Sequence, residues 1–177
     1  MRYKDFKYDI SGALWSSPAK TEAVYSRVET PLGEVTLLRG PSSTRTPAAL
    51  ADAWEDWVVT LTGVAEVKVR DLGVPLYVGR KRLESGAEGE LNGTEFSIRT
   101  HSSFRRSARI VSFDGLGITF TVRRLKVYAH EGDNCVATAV AGDWNIITPS
   151  PAGIMSICLF VWADMAYFLR TPFFRIL

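Results

Sequence analysis

"GIMSICLFVWADMAYFL", Gly153 to Leu169, decides how this chain is read. The run is seventeen residues long and apolar on nearly every face, apart from Ser156 and Asp164. A helix apolar all round must be covered by protein or by lipid. The bilayer reading meets three objections. Seventeen residues is at the short edge of a membrane span. Asp164 would cost about 2.5–3.5 kcal/mol near the bilayer centre. Arg170 and Arg175 follow the run, while Asp143 is the nearest charge before it. Insertion would carry both arginines across, against the positive-inside tendency. The run is therefore read as an interior helix over 151–170, with a tail anchor as the alternative. Pro149 and Pro151 break what precedes it, and Pro172 stops it. Its length, about 25 Å at 1.5 Å per residue, suits the height of a small β-barrel.

Outward from the run, the chain reads as short strands. "TEAVYSRVE" and "EVTLLRG" flank a Pro31–Gly33 turn. "TPAALADAWEDW" reads as one short helix near 47–57, with Thr46 as cap and Leu50, Ala53, Trp54 and Trp57 on one face. From Val58 the pattern is β almost throughout: "VVTLTG", "AEVKVRDL", "PLYVGRKRLES", and "EGELNGTEFSIRT" with its Asn92-Gly93 hairpin signal. "SARIVSFDGLGITFTVRRLKVYA" reads as a long hairpin around Asp114-Gly115, with a two-residue or a four-residue loop. Either register puts Val111, Phe113, Ile118, Phe120 and Val122 on one face, as a sheet with one solvated side requires. "NCVATAV" and "DWNIIT" complete ten to twelve candidate strands. No βαβ spacing appears, so the expectation is a mainly β fold of one domain, 1–177. It is an antiparallel barrel of about 10–12 strands around the apolar helix, with residues 1–20 as a loosely attached arm.

Many antiparallel strands followed by one wholly apolar helix resembles the tubby-like, LURP-one and phospholipid-scramblase barrel group. "PLYVGRKRLESGAEGELNGTEFSIRT" is similar in style to the repeated strand-and-turn units of the LURP-one type. The resemblance spans roughly Val58 to Leu177. It implies a twelve-stranded barrel enclosing the helix, and a basic barrel surface used toward phosphoinositides.

The remaining composition narrows the function classes. Hydrophobic residues make up 46% and charged residues 23% of the 177-residue chain, and the formal net charge is +2. That balance carries no specific nucleic-acid signal. "MRYKDFKYDISG" at the N-terminus has no signal-peptide core, so the expected location is cytoplasmic, with peripheral attachment at a membrane surface as an option. Cys135 and Cys158 are read as reduced, inert thiols. His101 and His130 sit at no metal spacing, and the chain has no P-loop, dinucleotide fingerprint or nucleophile elbow. No catalytic residue, metal or cofactor is called for.

What stands out is basic. Arg80, Lys81 and Arg82 are read as one strand; Arg105, Arg106 and Arg109 precede the long hairpin turn, and Arg123, Arg124 and Lys126 follow it. A two-residue loop would set Arg106 opposite Arg123, which is unfavourable unless an anion neutralises both. The functional reading is an anion site for a phospholipid head group, a nucleic-acid backbone or an acidic protein surface. The competing reading is a solvated face neutralised by Glu84, Glu88 or Glu90. Trp15 is a candidate partner anchor in an N-terminal loop. Trp162 and Asp164 are expected to be structural, Trp162 inside the fold and Asp164 meeting an arginine or backbone amides near one end. The expectation is a non-enzymatic binding or scaffolding module. The alternative is a structural assembly protein of a multi-subunit bacterial or phage particle.

Overall fold

The computed structural model describes residues 2–3, 19–44, 54–74 and 77–170. Strand follows strand: β1 (Arg2–Tyr3), β2 (Ala23–Thr30), β3 (Gly33–Pro41), β4 (Glu55–Leu61), β5 (Ala65–Val69), β6 (Ala87–Leu91), β7 (Thr94–His101), β8 (Ile110–Asp114), β9 (Ile118–Arg123), β10 (Lys126–Glu131), β11 (Asn134–Val140) and β12 (Asp143–Ile146). They form one antiparallel sheet in which β2 to β12 pair in sequence order and β1 adds beside β12. The expectation of a mainly β chain with ten to twelve antiparallel strands holds. Among the described residues no ladder joins β1 to β2, so the sheet is an open run of strands, not a demonstrated closed barrel.

Each strand obeys the two-residue period of a sheet with one covered face. On β4, Glu55, Trp57, Val59 and Leu61 point inward and are buried, while the residues between them are half-exposed. That alternation overturns the helix expected near 47–57 where it can be checked. Trp54 and Trp57 share a helical face in the sequence, but the β-branched run Val58-Val59-Thr60 favours a strand, and pairing with β3 and β5 secures it. Residues 45–53 of that expected helix lie outside the described residues.

Conversely, one expected strand is a helix. Tyr77–Ser85 forms α1, so Arg80, Lys81 and Arg82 lie on a helix between β5 and β6. Two glycines make it possible. A Cβ at Gly73 would lie 2.6 Å from the Val78 side chain, so only glycine lets the chain pack on the first turn of the helix. Gly86, at φ +89, closes the helix with its amide on the Leu83 carbonyl. Leu83 of this helix is fully buried.

The apolar run supplies the centre of the core. Pro151–Trp162 forms α2, and Ala166–Leu169 forms a separate turn of helix, α3. The single helix expected over 151–170 is thus broken at 163–165, where Asp164 adopts φ +50. Ser150 caps α2: its hydroxyl accepts from the Gly153 amide at 3.0 Å and donates to Glu131 at 2.8 Å. α2 packs on β4 from one half of the sheet and on β9 and β10 from the other. Phe160 stacks on Phe120 of β9 with centroids 4.3 Å apart and meets Trp144 of β12 edge-on. One apolar cluster takes side chains from every strand from β2 to β12 and from all three helices. Among the described residues no helix is long and apolar enough to cross a membrane.

Registers sort the connections into two ends. Five turns lie at one end, around residues 31–32, 62–64, 92–93, 115–117 and 132–133. The other end holds the end of β3 and the start of β4, α1, the 102–109 loop and the two-residue turns Arg124-Leu125 and Ala141-Gly142. We call these the turn end and the loop end.

Candidate functional site: a basic rim at the loop end

All three basic clusters foreseen in the sequence come to the loop end, because the connections that carry them lie there. The β8–β9 hairpin uses the four-residue loop, with Phe113 opposite Ile118 and Ile110 opposite Thr121. Arg106 therefore does not face Arg123 in a ladder. It opens a 3-10 turn, Arg106–Ala108, that packs against β9. Arg123 pairs instead with Lys126 across a two-residue turn.

The nine basic residues then divide by what they meet. Arg105, Arg123 and Arg124 are exposed, as is Lys81 on α1, and Lys126 is half-buried over the Tyr128 ring. Among the described residues, none of these five forms an ion pair with a carboxylate. The closest acidic position in the neighbouring ladders is Asp143, two strands away from Lys126 through Val140. Lys68 and Arg99 on the outer sheet face are compensated, by Glu66 at 2.8 Å and Asp114 at 3.2 Å. Hydrogen bonding to Glu66 holds the Lys68 ammonium above its ordinary value. The neutralised face exists, but these five cations of the loop end are not part of it.

Three of the expected anion ligands are committed elsewhere. Arg109 is turned inward, 3% exposed. Its guanidinium donates to the carbonyls of Ser103, Phe104 and Leu169 at 2.6, 2.9 and 3.2 Å, and so ties the 102–109 loop to the end of α3. Its alternation with Val111 and Phe113 on the inward face was the readable sign. Arg80 pairs with Asp164 and lies 4.0 Å over the Tyr167 ring. Arg82 borders an outer-face cleft of about 690 Å³ whose carboxylates, Asp71, Glu88, Glu90, Glu95 and Asp114, outnumber its cations Lys68, Arg70 and Arg82. An anion would not settle there. The described residues contain no group of three or more His, Cys, Asp or Glu side chains placed to hold a metal. Trp15 lies outside the described residues. Trp162 is buried in the core.

Two features escaped the sequence reading. The first is a buried ion pair, Arg39 on β3 with Glu55 on β4, 0% and 1% exposed, joined by bonds of 2.7 and 2.9 Å. Arg39 sits over the Tyr25 ring at 4.2 Å, and Glu55 accepts the Ala19 amide at 2.6 Å. Arg39 continues the inward series Val35, Leu37, and Glu55 opens the inward series Trp57, Val59; that shared parity was the available signal.

The second feature is the tip of the β9–β10 turn. Arg124 and Leu125 have φ of +48 and +64. Leu125 is 79% exposed, and so is Phe104 next to Arg105. Both central residues at positive φ is the geometry that Asn-Gly adopts freely. For a leucine it costs roughly 1–2 kcal/mol. The rim thus presents two large apolar side chains among uncompensated cations.

Comparison with protein-family models, curated proteins and solved structures finds no match to this chain.

Proposed function

We propose that this protein is a non-enzymatic binding module that lays its loop end on anionic phospholipid head groups. The observation that supports this reading is the set of cations Arg105, Arg123, Arg124 and Lys126 gathered on one end, with no ion pair among the described residues. Like charges held together without an ion-pair partner among the described residues are costly unless a counter-charge arrives from outside. A leaflet rich in anionic lipid supplies one, at about 1 kcal/mol per basic residue near its surface. In this reading the strand meander and its apolar helix are akin to the tubby-like, LURP-one and scramblase group. The protein then works as a peripheral membrane module.

The test is co-sedimentation with phosphatidylcholine vesicles, with and without phosphatidylserine, over a salt series. Binding is expected only with phosphatidylserine and is expected to weaken as salt rises. Arg123→Ala, Arg124→Asn and Lys126→Ala combined should lower affinity about a hundredfold, from about 1 kcal/mol per residue. Asn at position 124 keeps the positive φ available. Equal binding to neutral vesicles, or none to either, would refute the proposal.

A further inference from the structure

The rim contains an internal comparison. Three two-residue turns in this sheet have both central residues at positive φ: Asn92-Gly93, Arg124-Leu125 and Ala141-Gly142. Two of them place glycine second, where no side chain opposes the conformation. Only Arg124-Leu125 places a large side chain there, and that side chain is 79% exposed. The strain gains nothing inside the fold, because Leu125 is not among the residues packed on the core.

Phe104 has the same character. It is 79% exposed, yet its backbone is held: Arg109, buried, donates to the Phe104 carbonyl and to the carbonyls of Ser103 and Leu169. The 3-10 turn that follows packs on β9, whose last residue, Arg123, opens onto the Leu125 turn. Two exposed apolar side chains therefore lie at one end, Phe104 next to Arg105 and Leu125 within the Arg123–Lys126 turn.

We infer that Leu125 and Phe104 are insertion wedges that enter the acyl region of the leaflet whose head groups the surrounding cations bind; the inference rests on the lipid reading above. Basic residues flanking projecting apolar ones match the head-group and acyl layers in depth. An acidic protein could neutralise the cations, but a projecting leucine and phenylalanine would need fitted pockets in it. A fluid leaflet receives them anywhere.

The experiment compares wild type with Leu125→Asn and Phe104→Ser on phosphatidylserine-containing vesicles over a salt series. Leu125→Asn is the informative variant, because Asn relieves the turn. It should melt at or above the wild-type temperature and still lose about tenfold or more in vesicle affinity, the share a buried leucine carries. Wild type should keep a salt-resistant fraction of its binding, which each variant loses. If wild type does not bind these vesicles at low salt, the lipid reading and this inference fall together. If wild type binds and both variants match it at every salt concentration, the inference alone falls. Binding to soluble polyglutamate in preference to vesicles would also overturn it, in favour of an acidic protein partner.

Discussion

Arg80 and Asp164, eighty-four residues apart, join the loop-end helix to the break after the core helix. The guanidinium donates to the carboxylate while its face covers Tyr167 at 4.0 Å. Asp164 holds φ +50, which Asp and Asn tolerate better than other side chains with a Cβ. One aspartate therefore meets two demands, a left-handed backbone and a partner for arginine. Both side chains are 20–30% exposed (29% and 21%), so solvent screening limits the pair. Asp164→Asn should cost about 1 kcal/mol. Asp164→Leu adds the left-handed penalty and should cost about 2–3 kcal/mol. Urea unfolding of both variants checks the order; equal stability of the two would show that the backbone makes no demand.

The buried Arg39–Glu55 pair predicts a non-additive cycle. Glu55→Ala removes both Glu55 bonds from a guanidinium that is 0% exposed and should cost about 3–5 kcal/mol. Arg39→Met with Glu55→Leu should restore most of that loss. Denaturant melts of the singles and the double give the coupling directly. If the double is as unstable as Glu55→Ala, the tie from Glu55 to the Ala19 amide matters more than the charge.

Phe160 should be among the most sensitive core positions. It stacks on Phe120 at 4.3 Å and meets Trp144 at 5.9 Å, so truncation opens a cavity between α2 and two strands. Phe160→Ala is expected to cost about 3–5 kcal/mol, and Phe160→Leu clearly less. Thermal or denaturant unfolding reads both.

The two cysteines should separate by reactivity. Burial pushes the Cys158 thiol well above its ordinary pKa, so the nucleophilic thiolate is scarce in the native state. Cys135 is only partly buried. Iodoacetamide at mildly alkaline pH should modify Cys135 alone, and both cysteines once the protein is unfolded. Labelling of Cys158 in native protein at the rate of Cys135 would mean that the core opens readily there.

Strand parity was the most legible part of the fold. Val111, Phe113, Ile118 and Phe120 alternate with polar residues, and either hairpin loop gives them the same face, so the inward set survived an undecided register. The apolar run was legible as a covered helix because no polar stripe divides it. α1 was not, because "PLYVGRKRLES" shows neither strict alternation nor a clear helical stripe. Its conformation follows from close packing of Gly73 on Val78 and from the Gly86 cap, both tertiary facts. The basic clusters were visible as charge, but their shared end depends on which connections fall on which side, a property of strand count and order. Arg109 was grouped with surface arginines because Arg105 and Arg106 lie close before it; only the inward parity of β8 separates it from them. The Leu125 tip was hidden because "RRLK" contains none of the Asn or Gly that usually announce a tight reversal.

The position of α2 in the chain has a consequence for synthesis. Every strand of the sheet precedes Pro151–Trp162 in translation order. Neighbouring strands can pair as they emerge from the ribosome, since β2 to β12 join in sequence order. Their inward side chains, among them Val59, Phe113 and Phe120, find Phe160 and its neighbours only after the last strand has been made. The nascent chain therefore passes through a stage with formed hairpins and a bare apolar face, the state most exposed to aggregation and to chaperone capture. A stalled chain ending near Ser150 should bind chaperone far more persistently than one extended past Leu169.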